Sequence, residues 1–155
     1  MLFSVPKKFF LVSGKGEGFT PLNAFDNALL NSGIGNTNLI KVSSIIPPGS
    51  QLIKPLKVNP GALLPCAYTH ITSDIPEEII SACVCVAIPQ DVNQPGLIME
   101  FSSAGKKTLA EKIVKEMAYQ GMKKRKQQIK KIIVKSCEHK VKKLGCAFAG
   151  VVLWA

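Results

Sequence analysis

The chain has 155 residues, 46% hydrophobic and 19% charged, which suits one compact domain with a buried core and excludes a disordered chain. Its formal net charge is +10, yet 14 of its 20 Lys and Arg residues lie in 106–143 beside only three acids, so the basic excess belongs to one segment. No run reaches the roughly 20 apolar residues of a membrane helix, no secretory leader stands at the start, and five cysteines without a C-x-x-C spacing suggest neither a disulfide framework nor a metal set. A soluble, cytoplasmic protein without metal is expected.

Residues 9–12 read as a first strand, and the glycines of 14–18 as a tight turn, since glycine permits positive φ. Their spacing is not that of a phosphate-binding loop. Thr20 and Pro21 open a helix as N-cap and first helical residue. Leu22, Phe25, Ala28 and Leu29 form its predicted apolar stripe, with Asp26 one step off it, and Asn31-Ser32-Gly33 closes it. A connection through 33–36 leads into an apolar strand that carries Leu39, Ile40, Val42, Ser43, Ser44, Ile45 and Ile46 and stops at Pro47-Pro48. As residues alone, such a serine pair is two polar side chains on opposite faces of a strand.

Residues 49–60 are irregular, with turns at Pro55 and Pro60. Residues 62–72 and 79–88 are strands joined through 74–78; the second is apolar on both faces, as a strand covered on both sides would be. Cys83 and Cys85 share one of those faces. Residues 96–102 form a further strand containing Glu100. Thr108 and Glu111 have capping-box spacing and start a helix with the stripe Leu109, Ile113, Val114 and Met117, ending near Gly121. Residues 129–137 and 144–154 are the last strands. Two helices amid six or seven strands, with no linker, give a single α+β or layered α/β domain over 1–155.

Residues 16–48, GEGFTPLNAFDNALLNSGIGNTNLIKVSSIIPP, resemble the pyruvoyl-dependent arginine decarboxylase family. Two further stretches match in order: 96–100, GLIME, and 138–149, from Glu138-His139 to Leu144-Gly145-Cys146-Ala147-Phe148-Ala149. The lysine-rich segment 122–135 departs from the family pattern. The resemblance implies an αββα-like sandwich of mostly antiparallel sheets covered by helices, self-cleaved between Ser43 and Ser44 into a β chain of residues 1–43 and an α chain of residues 44–155. In the family the second serine, here Ser44, becomes a covalent pyruvoyl cofactor. Its hydroxyl attacks the Ser43 carbonyl, and the ester then undergoes β-elimination. The pyruvoyl ketone forms a Schiff base with arginine, which leaves as agmatine and CO₂.

Residue by residue, Asn38 matches the asparagine that steadies the oxyanion during cleavage and Glu100 the proton donor. Asp26 matches the aspartate that binds the guanidinium, and Leu29, Gly35 and Thr37 match residues lining the same pocket. Without the resemblance, Asp26 reads as a solvated helix carboxylate, and Glu100 as a strand carboxylate on a face of either kind. The family implies homotrimers, or dimers of trimers, with active sites at subunit interfaces. Two other readings stand beside this one: a related pyruvoyl decarboxylase for another basic amino acid, and an uncleaved basic module that binds nucleic acid through 106–143. Tyr119 is the one aromatic residue in that segment, which speaks against nucleic acid, and no membrane partner is expected. A +10 protein opposes capture of a cationic substrate unless its lysines face away from the pocket, since screening acts over about 8 Å at physiological salt.

Overall fold

The computed structural model describes residues 4–155. Among these, the elements run β1 (Lys8–Glu17), α1 (Pro21–Ser32), β2 (Asn38–Lys41), β3 (Ile45–Ile46), β4 (Gln51–Leu52), β5 (Leu63–Ser73), β6 (Ile79–Pro89), β7 (Gly96–Ala104), α2 (Lys107–Lys124), β8 (Ile129–Lys140) and β9 (Gly145–Trp154). A five-stranded sheet has the order β2-β5-β9-β1-β4, and a four-stranded sheet the order β3-β7-β6-β8. Pairing is antiparallel except at the two edges of the larger sheet, where β2 runs parallel to β5 and β4 parallel to β1.

Strand alternation builds the layers. Phe9 and Leu11 point between the sheets and meet Val84, Val86 and Ile98, whereas Phe10 and Val12 point outward under α1. Helix α2 closes the other outer face over Cys83, Cys85, Ala87 and Leu97. The result is an αββα sandwich with three apolar layers. β6 is central and buried from Ile80 to Ala87, as its double-faced apolarity requires. No helix among the described residues is long and apolar enough to cross a membrane.

The glycines of 14–18 do not make a turn. They lie in β1 and beyond its end, and their missing side chains let α1 settle on the strand backbone. A Cβ on Gly14 would run into the Ala28 carbonyl oxygen, and one on Gly18 into the Ala24 backbone nitrogen. The buried stripe of α1 is therefore Ala24, Ala28 and Leu29, while Leu22 is 73% exposed. Both predicted caps hold: the Thr20 hydroxyl accepts from the Asn23 N–H, and Gly33 ends the helix at φ +91°.

Helix α2 starts one residue before the predicted capping box and does not use it; Lys106 is its N-cap, without a side-chain bond. Glu111 instead bonds Ser136 on β8, and Glu138 of the same strand accepts from the Lys107 N–H at 2.9 Å. The buried residues of α2 are Ala110, Val114, Ala118 and Met122, with Leu109 exposed. Gly121 lies inside the helix, because a Cβ there would strike Leu97. The apolar run 39–46 is not one strand either: β2 and β3 belong to different sheets, and Ser43 and Ser44 lie between them.

Candidate active site

β2 is an edge strand of the five-stranded sheet and β3 an edge strand of the four-stranded sheet, so residues 42–44 carry the chain across the open side of the sandwich. The crossing is clamped at both ends. The Val42 N–H donates to the Cys66 carbonyl at 3.2 Å, and the Ser44 carbonyl accepts from the Ile98 N–H at 2.7 Å. The Ser43–Ser44 peptide spans the gap between these clamps. Ser43 is exposed and Ser44 half-buried. The Ser43 carbonyl and the Ser44 hydroxyl make no hydrogen bond among the described residues.

β7 supplies the neighbouring acid. Its alternation sends Leu97, Met99 and Phe101 towards α2, and Ile98, Glu100 and Ser102 into the space between the sheets. Ser102 accepts from the Thr69 hydroxyl at 2.9 Å and donates to the His70 carbonyl at 3.3 Å, stitching β7 to β5. Ile45 opposes Leu97 and the Ile98 N–H bonds the Ser44 carbonyl, so Ser44 lies beside Ile98, two residues before Glu100 on β7. Burial pushes the Glu100 carboxyl above its ordinary value, and the Lys41 ammonium opposes this. A carboxyl so placed keeps its proton to higher pH than a solvated one.

Lys41 carried no role in the sequence reading. Its Nζ lies 4.7 Å from the centre of the Tyr68 ring. Tyr68 belongs to an aromatic group with Phe25, His70 and Phe148, in which the Phe25 and His70 rings are 4.4 Å apart. Burial, and then Lys41, hold His70 below its ordinary value, so it is neutral at pH 7. Neither Lys41 nor the Ile98 amide leaves a motif; a cation two residues before a serine pair is the only trace.

The other candidate residues form a second group. Asp26 is exposed on α1 and makes no hydrogen bond or ion pair among the described residues. Leu29 is buried against the five-stranded sheet. Gly35 leaves room for the Leu30 backbone, and the Thr37 hydroxyl donates to the Ile34 carbonyl at 2.7 Å. Asn38 donates its side-chain amide to the Gly61 carbonyl at 3.0 Å, and it precedes Ser43 by about 16 Å of extended chain. The structure thus ties Ser44 to Ile98 on the strand that carries Glu100 two residues further on. It gathers Asp26, Leu29, Gly35, Thr37 and Asn38 on α1 and its exit, and no described contact joins the two groups within one chain.

Two apolar surfaces flank them. Phe19 (94% exposed), Leu22 and Leu30 surround Asp26 at the start and along the outer side of α1. A groove of about 530 Å³ lined by Ile40, Val42, Leu63, Pro65, Leu153 and Trp154 borders the serine crossing.

A further cluster, on two of the matching stretches, lies at the far end of β1. Glu17 Oε2 is 2.6 Å from His139 Nε2, and Oε1 accepts from the N–H groups of Lys142, Lys143 and Leu144 at 3.2, 2.7 and 3.2 Å. Burial raises the Glu17 carboxyl, but these hydrogen bonds together outweigh it and leave the group below its ordinary value. The cysteines are free and buried; desolvation pushes Cys66, Cys83 and Cys146 up to about 12, which keeps them as thiols. No group of three or more His, Cys, Asp and Glu among the described residues is arranged to hold a metal.

Residues 8–155 match the family model of pyruvoyl-dependent arginine decarboxylase. A protein of that name from Methanocaldococcus jannaschii is 51% identical over 152 residues, which cover 98% of this chain and 92% of that one. Another from Pyrococcus furiosus is 44% identical over 157 residues, covering 99% of both. Among solved structures, a pyruvoyl-dependent histidine decarboxylase at pH 8 matches with a TM-score of 0.53 at 12% identity, over 64% of this chain and 53% of that chain, a likeness of fold.

Proposed function

The chain belongs to the pyruvoyl-dependent arginine decarboxylase family, and we propose that it makes its own pyruvoyl group at the serine crossing and uses it to release CO₂ from L-arginine, leaving agmatine. The observation that carries this is the crossing itself. Val42 is fixed to one sheet and Ser44 to the other, and among the described residues the peptide between them has an unbonded carbonyl beside an unbonded hydroxyl. The Ser44 oxygen attacks the Ser43 carbonyl carbon, the Ser43–Ser44 C–N bond breaks, and an ester replaces the amide. β-Elimination then frees the Ser43 carboxylate, and water displaces ammonia from the residue left at position 44. The products are a β chain of residues 1–43 and an α chain of residues 44–155. The cut severs no rung of either sheet, and ten residue pairs from Lys8↔Trp154 to Glu17↔Gly145 keep the two chains together.

The pyruvoyl carbonyl supplies the electron sink for loss of CO₂ from an amino acid. Glu100, on the strand beside the crossing, has a carboxyl that burial holds above its ordinary value, and it delivers a proton to the former α-carbon as CO₂ leaves. Asp26 receives the guanidinium as a bidentate carboxylate. Leu29, Gly35 and Thr37 complete the pocket on that side, and Asn38 steadies the oxyanion of the cleavage step.

The separation of the two groups within one chain supports a site shared between copies. The exposed apolar side of α1 around Asp26 suits the apolar groove beside the serine crossing of a neighbour. These are different patches, so the contact is heterologous and closes as a ring, a homotrimer or a dimer of trimers. Five unpaired cysteines agree with a reducing cytoplasmic compartment. The relatives are named for arginine, and nothing favours another basic amino acid or an uncleaved nucleic-acid module in place of the enzyme.

Release of labelled CO₂ from carboxyl-labelled L-arginine tests the activity, and mixed oligomers test the sharing. Asp26→Asn and Glu100→Gln are each expected to be nearly inactive alone. Co-expressed, they regain a substantial fraction of wild-type turnover, because some interfaces carry neither change. No recovery in verified mixed oligomers means that one chain supplies both groups.

A further inference from the structure

We infer that the enzyme carries a second binding surface, at the end of α2 and the start of β8, that docks a single strand of nucleic acid. Lys123, Lys124, Arg125, Lys126, Lys130 and Lys131 put six cations into nine residues, all six exposed, and no acid occurs in the sequence between Glu116 and Glu138. The fold keeps them together. Arg125, Lys126 and Gln127 donate their N–H groups back to Gly121, Lys123 and Met122, and Lys126 adopts φ +55°, so the chain reverses within a few residues. The helix end and the strand start then face solvent side by side. Neither ion pair among the described residues, Glu17–His139 and Lys140–Glu77, involves any of the six.

The helix dipole accounts for Lys123 and Lys124 in the last turn of α2 but not for the cations beyond it. The decarboxylase reaction gives them no use either, because its substrate is itself a cation. Ile132 opposes Ala87, Ala87 opposes Leu97, and Leu97 opposes Ile45, so one cross-strand row of about 14 Å leads from the basic segment to the residue after Ser44. Six unpaired cations at that end of the sheet are a liability for arginine capture unless an anionic partner covers them. Tyr119, 47% exposed, lies one turn before Lys123 and offers a ring on which a base can stack. A flat aromatic face beside a run of cations suits a phosphate backbone with bases better than it suits an acidic polypeptide. The sequence, weighed for its scarcity of aromatics, pointed away from nucleic acid; the structure adds that its one segmental aromatic is exposed beside the cations.

The test uses the purified full-length protein and a fluorescein-labelled 20-nucleotide oligouridylate, titrated between 50 and 200 mM salt. Neutralising about six phosphates of a single strand gives a log–log salt slope of about −4, a loss of roughly 250-fold in affinity over that range. Joint reversal of Lys124→Glu, Lys126→Glu and Lys131→Glu is expected to abolish binding while turnover of arginine stays at the wild-type kcat, which shows the variant to be folded. Tyr119→Ala weakens binding by at least about fivefold. No binding at 50 mM salt overturns the inference, as does undiminished binding by the reversed variant. Equal affinity for a polyglutamate of the same length, with Tyr119→Ala without effect, also overturns it in favour of an acidic protein partner.

Discussion

Of the four places where the chain passes between its two sheets, those at residues 42–44 and 141–144 are built in opposite ways. At the second, one carboxylate oxygen of Glu17 collects three successive N–H groups while the other meets His139, and Val141 exchanges backbone bonds with Glu77 and Glu78. Every exposed backbone donor of that turn has a partner. At the first, only the ends are held, and among the described residues nothing engages the carbonyl or the neighbouring hydroxyl of the peptide in the middle. Backbone polar groups normally find partners because leaving them bare is costly. The same topological task is thus done once with every backbone donor paired and once with a peptide left unpaired in the middle.

The largest effect comes from closing the reactive crossing. Ser44→Ala removes the attacking oxygen, and both chain cleavage and arginine turnover are expected to vanish while far-UV circular dichroism stays that of the wild type. Glu100→Gln separates the crossing from the chemistry that follows: the chain still cuts, but turnover falls by about 10²- to 10⁴-fold. In the intact enzyme, turnover is expected to decline as pH rises through the raised Glu100 value, because a Glu100 donor would lose its proton. Lys41→Met removes the opposing cation, so this decline moves to higher pH, read from kcat against pH.

The smallest effect comes from opening the sealed crossing. Glu17→Gln strips the charge from the three N–H contacts and His139, and it is expected to cost about 2 kcal/mol of stability in urea melts, without affecting cleavage. The pH dependence has a definite sign. Glu17 lies below its ordinary value when folded, so its contribution is fully present above the unfolded carboxyl pKa and is lost as pH falls through the lowered folded one. Melts of Glu17→Gln therefore lack that part of the acid-side loss.

Local signals in the sequence survive folding where the chain acts locally. Thr20 and Gly33 bound α1 as their chemistry dictates, and the double-faced apolarity of β6 marks its central position. Signals that depend on a distant partner do not. Glycine at 14 and 18 announces freedom of φ, but here its use is to admit a helix, which then turns its alanines inward and leaves Leu22 outside. Glu111 has the spacing to cap its own helix and finds Ser136 on β8 instead. The apolar run through Ile40 and Ile45 conceals a change of sheet, because only pairing partners distinguish one strand from two. The serine pair, Asp26 and Glu100 were visible through family resemblance. Lys41 and the Ile98 amide act through a field and a backbone bond, neither of which leaves a spacing to read.

The most direct test of the account is the intact mass of the purified protein, measured by electrospray without added reagents. Two species divided after Ser43, the larger beginning with a pyruvoyl-blocked residue 44, is the predicted result. One full-length mass that persists through prolonged warm incubation would mean that the open crossing is inert, and would contradict the reading of Ser43 and Ser44 on which the mechanism stands.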